Sequence, residues 1–409
     1  MPGARDLHRG RLMRRIVVVG ASLAGVHAAE ALRERDYDGE LTLVSAEARL
    51  PYDRPPISKE LLLGTMESEQ LLLRPESWYH ERGVELRLGA AARGLDPAAR
   101  TIALADGSEL AYDGLILATG STARRLPAVP DGPTVHVLRD LDHALALRPA
   151  LQPGKHLVVI GGGFIGLEVA GVARRLGLDV TLVENSPIPL VRAFGSDTGD
   201  WYRRLHERNG VQFVHECAID SIGTNRGGTV LGLSDGSAIT GDIVVAGIGS
   251  IPSIDWLAGS GVALSGGVLC TPDLATSAPG VVAAGDIARW HNPIFGQEMR
   301  VEHWSNAVDQ GRHAAATLLG DRSPFASVPY FWTDQHDTKM RFVGRAAGAT
   351  DTRVELISDD KLVVTYGRDG VLIGAVCVGA PRQLAKYKVA IQNRVPWEDA
   401  AESQLASTV

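Results

Sequence analysis

Cysteine is scarce. The three residues Cys217, Cys270 and Cys377 stand far apart, so the chain has no C-x-x-C redox pair and no cysteine cluster with metal-site spacing. Each reads as a small buried hydrophobe. No run of eighteen apolar residues occurs, which removes an obvious membrane-spanning helix. The N-terminus, MPGARDLHRGRLMRR, lacks the apolar stretch of a secretory signal, so the cytoplasm is the expected compartment. Residues 1–12 read as an extension without fixed structure, with Met1 or Met13 as the native start. Basic residues are in deficit: 41 Lys and Arg against 48 Asp and Glu leave a net charge of −7, which argues against a general nucleic-acid binder. An acidic partner has to dock on a local basic patch. The composition, 45% hydrophobic and 22% charged, lacks the biases that keep chains unfolded. With 409 residues the chain exceeds what one core usually serves, and two or three domains are expected.

What is present is a repeat. Arg14 to Glu47 reads RRIVVVGASLAGVHAAEALRERDYDGELTLVSAE, and His156 to Glu184 reads HLVVIGGGFIGLEVAGVARRLGLDVTLVE. Each copy is an apolar strand, a glycine turn, an Ala/Leu-rich helix and a second apolar strand: a βαβ unit twice over. Strands without polar alternation are buried on both faces, as in a doubly wound parallel sheet. Further strands are expected at Val84 to Leu88, Ile102 to Leu104 and Leu115 to Ala118 around the first copy, and at Val211 to Val214 and Ile243 to Ala246 after the second. Pro- and Gly-rich breaks near residues 122–132 and around Ser250 read as domain crossings. After Asp321 the segments PYFWTDQHD, MRFVG, KLVVTYG and VLIGAVCVG predict a small α+β domain with an antiparallel sheet, closed by a helix through Arg382 to Gln392.

The second turn, Gly161-Gly162-Gly163-Phe164-Ile165-Gly166, is a complete G-x-G-x-x-G between a strand and a helix. That context outweighs a chance glycine cluster, because the glycines permit a tight turn, backbone approach to a pyrophosphate and close helix packing. Glu184 stands at the tip of the following strand, where a carboxylate accepts ribose hydroxyl hydrogen bonds and repels a 2′-phosphate, so NADH is expected over NADPH. The first turn, Gly20-Ala21-Ser22-Leu23-Ala24-Gly25, carries Ser22 at the central position. Serine is the smallest replacement with a polar side chain, and its hydroxyl can itself donate to a phosphate. Either Glu47 or the Ala46 backbone lies where the adenine ribose is to be met.

Three more stretches narrow the reading: LILATG ending at Gly120, TSAPGVVAAGD ending at Asp286, and PYDRPPISK ending at Lys59. With VVVGASLAG, GGGFIGLE, GIGSIP, VEHWSNA and FWTDQ in order, the chain resembles the FAD-dependent, NADH-linked ferredoxin reductases of the putidaredoxin reductase and biphenyl dioxygenase reductase type, from Arg14 through the C-terminal domain. The resemblance implies two Rossmann-like nucleotide-binding domains in a glutathione-reductase-like architecture plus a small α+β C-terminal domain. FAD-binding segments are expected at 13–122 and 246–322, an NADH-binding domain at 123–245, and the C-terminal domain at 323–409. Tightly held, non-covalent FAD is expected to meet Gly20, Ser22, Ala24, Gly25, Ala46 or Glu47, and Arg54 and Lys59. It is also expected to meet Ala92, Ala118, Thr119, Gly120, Arg139, Asp286 and Trp304. NADH is expected on Gly161, Gly163, Phe164, Ile165, Gly166, Glu184 and Gly249.

The implied activity takes a hydride from NADH to FAD and passes electrons singly to a small iron-sulfur ferredoxin that feeds an oxygenase, such as a cytochrome haem-thiolate monooxygenase. Lys59 is the candidate for the flavin edge, where a cation stabilises the electron-rich reduced ring, against the plainer reading of a surface lysine at a helix start. Glu168 is expected to pair with Lys59 and meet the nicotinamide amide, against that of an ordinary first-turn acid. Trp304, in preference to Trp332, is expected to cover the flavin, though core packing is the commoner role of a tryptophan. Arg74 and Arg312 are candidates for the ferredoxin docking rim or plain solvated charges. Pro55 to Lys59 contains no cysteine, which disfavours the thiol chemistry of disulfide reductases and NADH peroxidases. The alternatives are a rubredoxin reductase and a flavin-based NADH sensor related to apoptosis-inducing factor.

Overall fold

The computed structural model describes residues 13–126, 134–225 and 227–401. The N-terminal extension and part of the 122–132 break therefore lie outside the described residues. The chain separates into two compact units, one from residues 13–52, 72–121 and 252–326, the other from 53–71, 122–251 and 327–401.

In the first unit a parallel sheet runs in the order Val281–Ala283, Gly114–Leu117, Arg15–Val19, Glu40–Val44, Val84–Arg87. The central strands are Val, Ile and Leu with almost no polar break, and Ile16, Val18, Leu43 and Ile116 are each at most 1% exposed. Full burial of each such side chain favours the folded state by about 1.5–3 kcal/mol, which makes these strands the core. The helix Leu23–Glu34 follows the first strand, and the helix Trp304–Leu318 packs on it. Their approach depends on Gly311, where a Cβ would fall 2.2 Å from the Ala24 carbonyl oxygen. Ile102–Leu104 lies in a separate antiparallel sheet formed by Ala92–Asp96, Thr101–Leu104 and Glu109–Ala111.

The second unit repeats the scheme, with a parallel sheet in the order Val211–Val214, Asp179–Val183, His156–Ile160, Ile243–Ala246, Val135–Val137. Its second strand feeds an 18-residue helix, Val191–Arg208, interrupted at Gly195, whose φ of 78° is non-helical. The aromatic C-terminal segments form an antiparallel sheet in the order Tyr330–Gln335, Thr338–Gly344, Val371–Val378, Leu362–Arg368, Asp351–Ile357, followed by the helix Pro381–Gln392. Strand Tyr330–Gln335 packs against the helix Phe164–Arg175. Among the described residues no helix is long and apolar enough to cross a membrane.

Candidate active site

The two glycine turns are built by the same register. Gly20 N donates to Val44 O and Gly161 N to Val183 O, both at 2.8 Å, so each turn springs from the strand pair that it joins. Gly20 and Gly161 have φ of 117° and 99°, where any side chain is strained, and a Cβ at either would strike a neighbouring carbonyl. Each turn opens a 12-residue helix, Leu23–Glu34 or Phe164–Arg175, whose N-cap, Ser22 or Gly163, makes no side-chain capping bond and whose first turn holds no acid. Both helix ends thus present first-turn N–H groups without a side-chain cap and positive dipole, the arrangement that receives a phosphate. Phe164 packs on Phe194 and Phe331, with ring centroids 5.7 and 4.4 Å away, and Ile165 is exposed.

Glu184 is held over the second turn. Its carboxylate accepts from Gly162 N at 2.6 Å and from Ser186 N at 2.7 Å, which fixes it at the strand tip with acceptor capacity left for a ribose. Counting along the register, the residue that occupies this position beside the first turn is Ser45. Ser45 Oγ accepts from Glu47 N at 3.1 Å, and the Glu47 carboxylate receives the Tyr52 hydroxyl. Ala46 is exposed and Glu47 half-buried.

Elsewhere in the first unit, Asp286 follows the strand Val281–Ala283, accepts from Ser121 Oγ at 2.8 Å, and is stiffened by Arg300, which donates to its carbonyl oxygen at 2.8 Å. Ala118 N bonds Val19 O at 2.8 Å, Thr119 Oγ1 donates to Ser253 O at 2.7 Å, and Gly120 turns at φ 66°. Ala24 is buried, and its backbone lies close to Gly311, where a Cβ would fall 2.2 Å from the Ala24 carbonyl oxygen. Gln310, which sequence reasoning missed, is fully buried and accepts from Gly285 N at 2.9 Å. Ala92 begins an antiparallel strand, and Trp304 begins its helix at 36% exposure. Burial pushes the His303 imidazole down to about 4 against the pull of Asp286, so the residue before Trp304 is neutral.

Arg74 and Arg312 belong to one charge cluster. Arg74 Nη2 pairs with Glu30 Oε1 at 2.7 Å, while Arg312 pairs with Glu34 and approaches Glu30 Oε2 at 3.8 Å. His27 Nδ1 reaches the same Glu30 at 3.0 Å. This face is charge-balanced instead of a bare basic rim.

In the second unit the Lys59–Glu168 pair forms as expected from the sequence, with Lys59 Nζ 3.3 Å from Glu168 Oε1. Glu168 is 5% exposed and also accepts from Ser58 Oγ at 2.5 Å and Thr333 Oγ1 at 2.6 Å. Ser58 and Thr333 were missed, although both lie inside the quoted motifs PPISK and FWTDQ. These three donors satisfy a carboxylate that is almost wholly buried. Lys59 reaches it because Pro55–Ser58 winds as a short 3₁₀ helix that hands over to Glu60–Leu63. Arg54 Nη1 donates to Arg139 O at 3.0 Å, and Gly249, at φ 101°, accepts from Arg124 N at 2.9 Å. Trp332 stacks on Tyr330, centroids 5.8 Å apart.

Comparison with known proteins decides the family. A model described as pyridine nucleotide-disulphide oxidoreductase matches residues 14–311, and one described as reductase C-terminal matches residues 330–407. The chain belongs to the pyridine nucleotide-disulphide oxidoreductase family. It is 38% identical to rhodocoxin reductase of Rhodococcus erythropolis over 95% of this chain and 92% of the relative. It is 35% identical to the ferredoxin–NAD(+) reductase component of the anthranilate 1,2-dioxygenase system of Burkholderia cepacia, over 90% of this chain and 91% of the relative. Among solved structures, putidaredoxin reductase in its covalent complex with putidaredoxin superposes with a TM-score of 0.92 at 29% identity, covering 97% of this chain and 98% of that one. The protein is an oxidoreductase of two Rossmann-like sheets and a C-terminal antiparallel domain, and its cofactors are FAD and NAD(H). The residues present suit both groups. Each helix end offers uncapped donors, and both glycine turns bring backbone close to where a pyrophosphate rests.

Proposed function

We propose that this protein is a ferredoxin–NAD(+) reductase: FAD, when bound, accepts the hydride of NADH and gives up its electrons one at a time to a small iron-sulfur protein. Support comes from relatives named as reductase components of dioxygenase systems and from the putidaredoxin complex among the similar structures. The observation that carries the reading is the Lys59–Glu168 pair in a stretch free of cysteine. Related thiol enzymes pass electrons through sulfur at this place. None of the three cysteines forms a disulfide; Cys217 and Cys377 are buried, and burial pushes the Cys270 thiol up to about 12.

We assign FAD to segments 13–122 and 246–322, with the pyrophosphate at Gly20, Ser22 and Gly25, the ribose at Ser45 to Glu47, and polar contacts at Thr119, Gly120 and Asp286. Ala24, Arg54, Ala92, Ala118, Arg139 and Trp304 complete the expected set. NADH is assigned to 123–245, with the pyrophosphate at Gly161, Gly163 and Gly166 and the adenine ribose at Glu184; Phe164, Ile165 and Gly249 complete that set. The domain at 323–409 supplies Thr333 to Glu168. Lys59 is assigned to the flavin edge as a fixed cation, and Glu168 holds it there and accepts from the nicotinamide amide. The acidic partner is assigned to the face around Arg74 and Arg312, whose charges Glu30 and Glu34 share. The cytoplasm is the compartment we propose.

The deciding experiment is NADH-driven reduction by the purified yellow protein, presented in turn with iron-sulfur ferredoxins of the same genome and with rubredoxin. Rapid reduction of one ferredoxin, with transfer on to its oxygenase, is expected. Reduction of rubredoxin alone, or slow turnover with a long-lived NADH complex and no acceptor, would replace the proposal by one of the two alternatives.

A further inference from the structure

Glu168 is the inner end of a line of polar side chains that the sequence does not announce. Thr333 Oγ1 lies 2.6 Å from Glu168 Oε1, and Gln335 Nε2 lies 3.2 Å from Thr333 Oγ1. His206 Nε2 lies 2.8 Å from Gln335 Oε1, and His336 Nε2 lies 3.2 Å from His206 Nδ1. Thr333, Gln335 and His206 are at most 1% exposed, while His336 is half-buried and forms the outer end. The strand Tyr330–Gln335 supplies two of the members, the turn after it His336, and the helix Val191–Arg208 supplies His206.

Each link holds one hydrogen, so the line has a direction. The Gln335 amide turns its NH2 to Thr333, which leaves the Thr333 hydroxyl hydrogen for Glu168. Its carbonyl faces His206, which must then carry a hydrogen on Nε2, leaving Nδ1 bare for the Nε2–H of His336. In the opposite direction the amide is flipped, Thr333 donates to Gln335, and two oxygens 2.6 Å apart face each other unless Glu168 itself carries a proton. The direction of the line and the charge of Glu168 are therefore one variable. Neutral rings are needed for this. Burial, with His336 alongside, pushes His206 down to about 3, and burial likewise pushes His336 down to about 4. The charges facing His336 are Asp337 on its own turn and Arg174 and Arg175 of the helix Phe164–Arg175. The His206 ring is bounded by His336, Gln335 and the edge-on ring of Phe213, 6.3 Å away.

We propose that Thr333, Gln335, His206 and His336 are positioning residues for Glu168, the neutral histidine pair fixing the Gln335 amide so that the Thr333 hydroxyl hydrogen stays on the carboxylate facing Lys59. The proposal rests on the reading of Lys59–Glu168 as part of the NADH-reducing site. It makes His336, one residue past the motif FWTDQ, the outer positioning residue, 4 links away from the acid that it serves.

The test uses the holoprotein in two arms. In the first, ¹⁵N-histidine NMR on the resting protein, without NADH, is expected to show His206 and His336 as neutral Nε2–H rings from pH 6 to 8, assigned by loss of signal in His206→Gln and His336→Phe. A His206 ring with its hydrogen on Nδ1, or a protonated ring at neutral pH, overturns the proposal. In the second arm, single-turnover bleaching of the flavin by NADH is followed against pH. Thr333→Val removes one donor from Glu168 and is expected to move the acid limb of the rate to higher pH. Thr333→Ser restores it, and His336→Phe moves it in the same direction by less. A Thr333→Val protein that is slower at every pH with an unmoved midpoint shows a merely structural role and overturns the proposal. Should wild-type protein fail to bleach with NADH at all, the reading of the site fails, while the first arm still decides the direction of the line.

Discussion

The two βαβ units are near copies in register, yet they differ at the centre of the glycine turn. The first and last glycines are dictated by the protein itself. A Cβ on Gly25 would lie 1.8 Å from Gly20 O, and one on Gly166 would lie 2.1 Å from Gly161 O, so in both copies the helix could not seat against its strand. The central position is different. A Cβ on Gly163 would meet only Gly247 O at 3.7 Å, ordinary contact, and its φ of −79° suits any residue. Ser22 occupies the matching place in the first copy at φ −103°. The fold thus requires the outer two glycines and leaves the central position open. The neighbouring position reverses the pattern. Ala21 is tolerated in the first copy, whereas a Cβ on Gly162 would crowd Pro189 at 2.9 Å and Glu184 Oε2 at 3.1 Å. Pro189, with the Glu184 carboxylate beside it, leaves no room for a side chain there.

The strongest way to break the comparison is to fill the closing glycines. Gly25→Ala is expected to cost about 3 kcal/mol or more through overpacking and to yield colourless protein. Gly166→Ala, with the same steric fault, is expected to stay yellow and lose bleaching by NADH; absorbance at the flavin band after purification and after NADH addition reads both. Next in size, Glu184→Arg removes charge-assisted hydrogen bonds to a ribose and is expected to lose about 1.5–3 kcal/mol of NADH affinity, more than tenfold, while NADPH gains. Unchanged selectivity in competition kinetics would place ribose reading elsewhere. A third prediction concerns the second unit alone. His206 is neutral in the fold and titrates near 6.5 when unfolded, so between that pH and about 3 the unfolded chain binds the extra proton. Its contribution to stability is complete above the unfolded value and declines by about 1.4 kcal/mol per unit as pH falls through the window. His206→Gln should flatten the pH dependence of denaturant midpoints by that slope. The smallest effect is at the centre of the turns. Gly163→Ala is expected to leave melting temperature unchanged or raise it by the equivalent of about 0.4–1 kcal/mol, yet weaken NADH binding, and Ser22→Gly to do the converse for FAD.

Most of the frame was legible because its signals are local. Uninterrupted Val/Ile/Leu strands, the glycine spacing and the small residues of two helices each act within about thirty residues, and both parallel sheets formed around them. Glu184 and the Lys59–Glu168 pair were legible from motif context. What was hidden depends on contacts across long separations. Thr333 is 165 residues from Glu168, and no periodicity links them. The direction of the Gln335 amide is invisible without His206, 129 residues away. Ala24 sat in a correct motif, but the close approach of Gly311 to its backbone is set by a helix nearly 300 residues later in the chain. Charge balance was hidden for the same reason: Arg312 reads as a lone cation in sequence, and only folding brings Glu34, 278 residues distant, against it. Ser45 is a subtler case, since strand register, not letter spacing, makes it the counterpart of Glu184, one residue before Ala46 and two before Glu47.

The strand Val281–Ala283 completes the sheet begun by Arg15–Val19, and the helix Trp304–Leu318 covers the helix that follows it. On the ribosome, this makes the order of birth differ from the order of assembly. The His156–Ile160 sheet has all five of its strands once Ala246 has emerged, whereas the sheet begun first must wait for a strand made later still, Val281–Ala283. Nascent chains arrested shortly after Ala246 should therefore resist protease in their middle while their oldest strands are still digested.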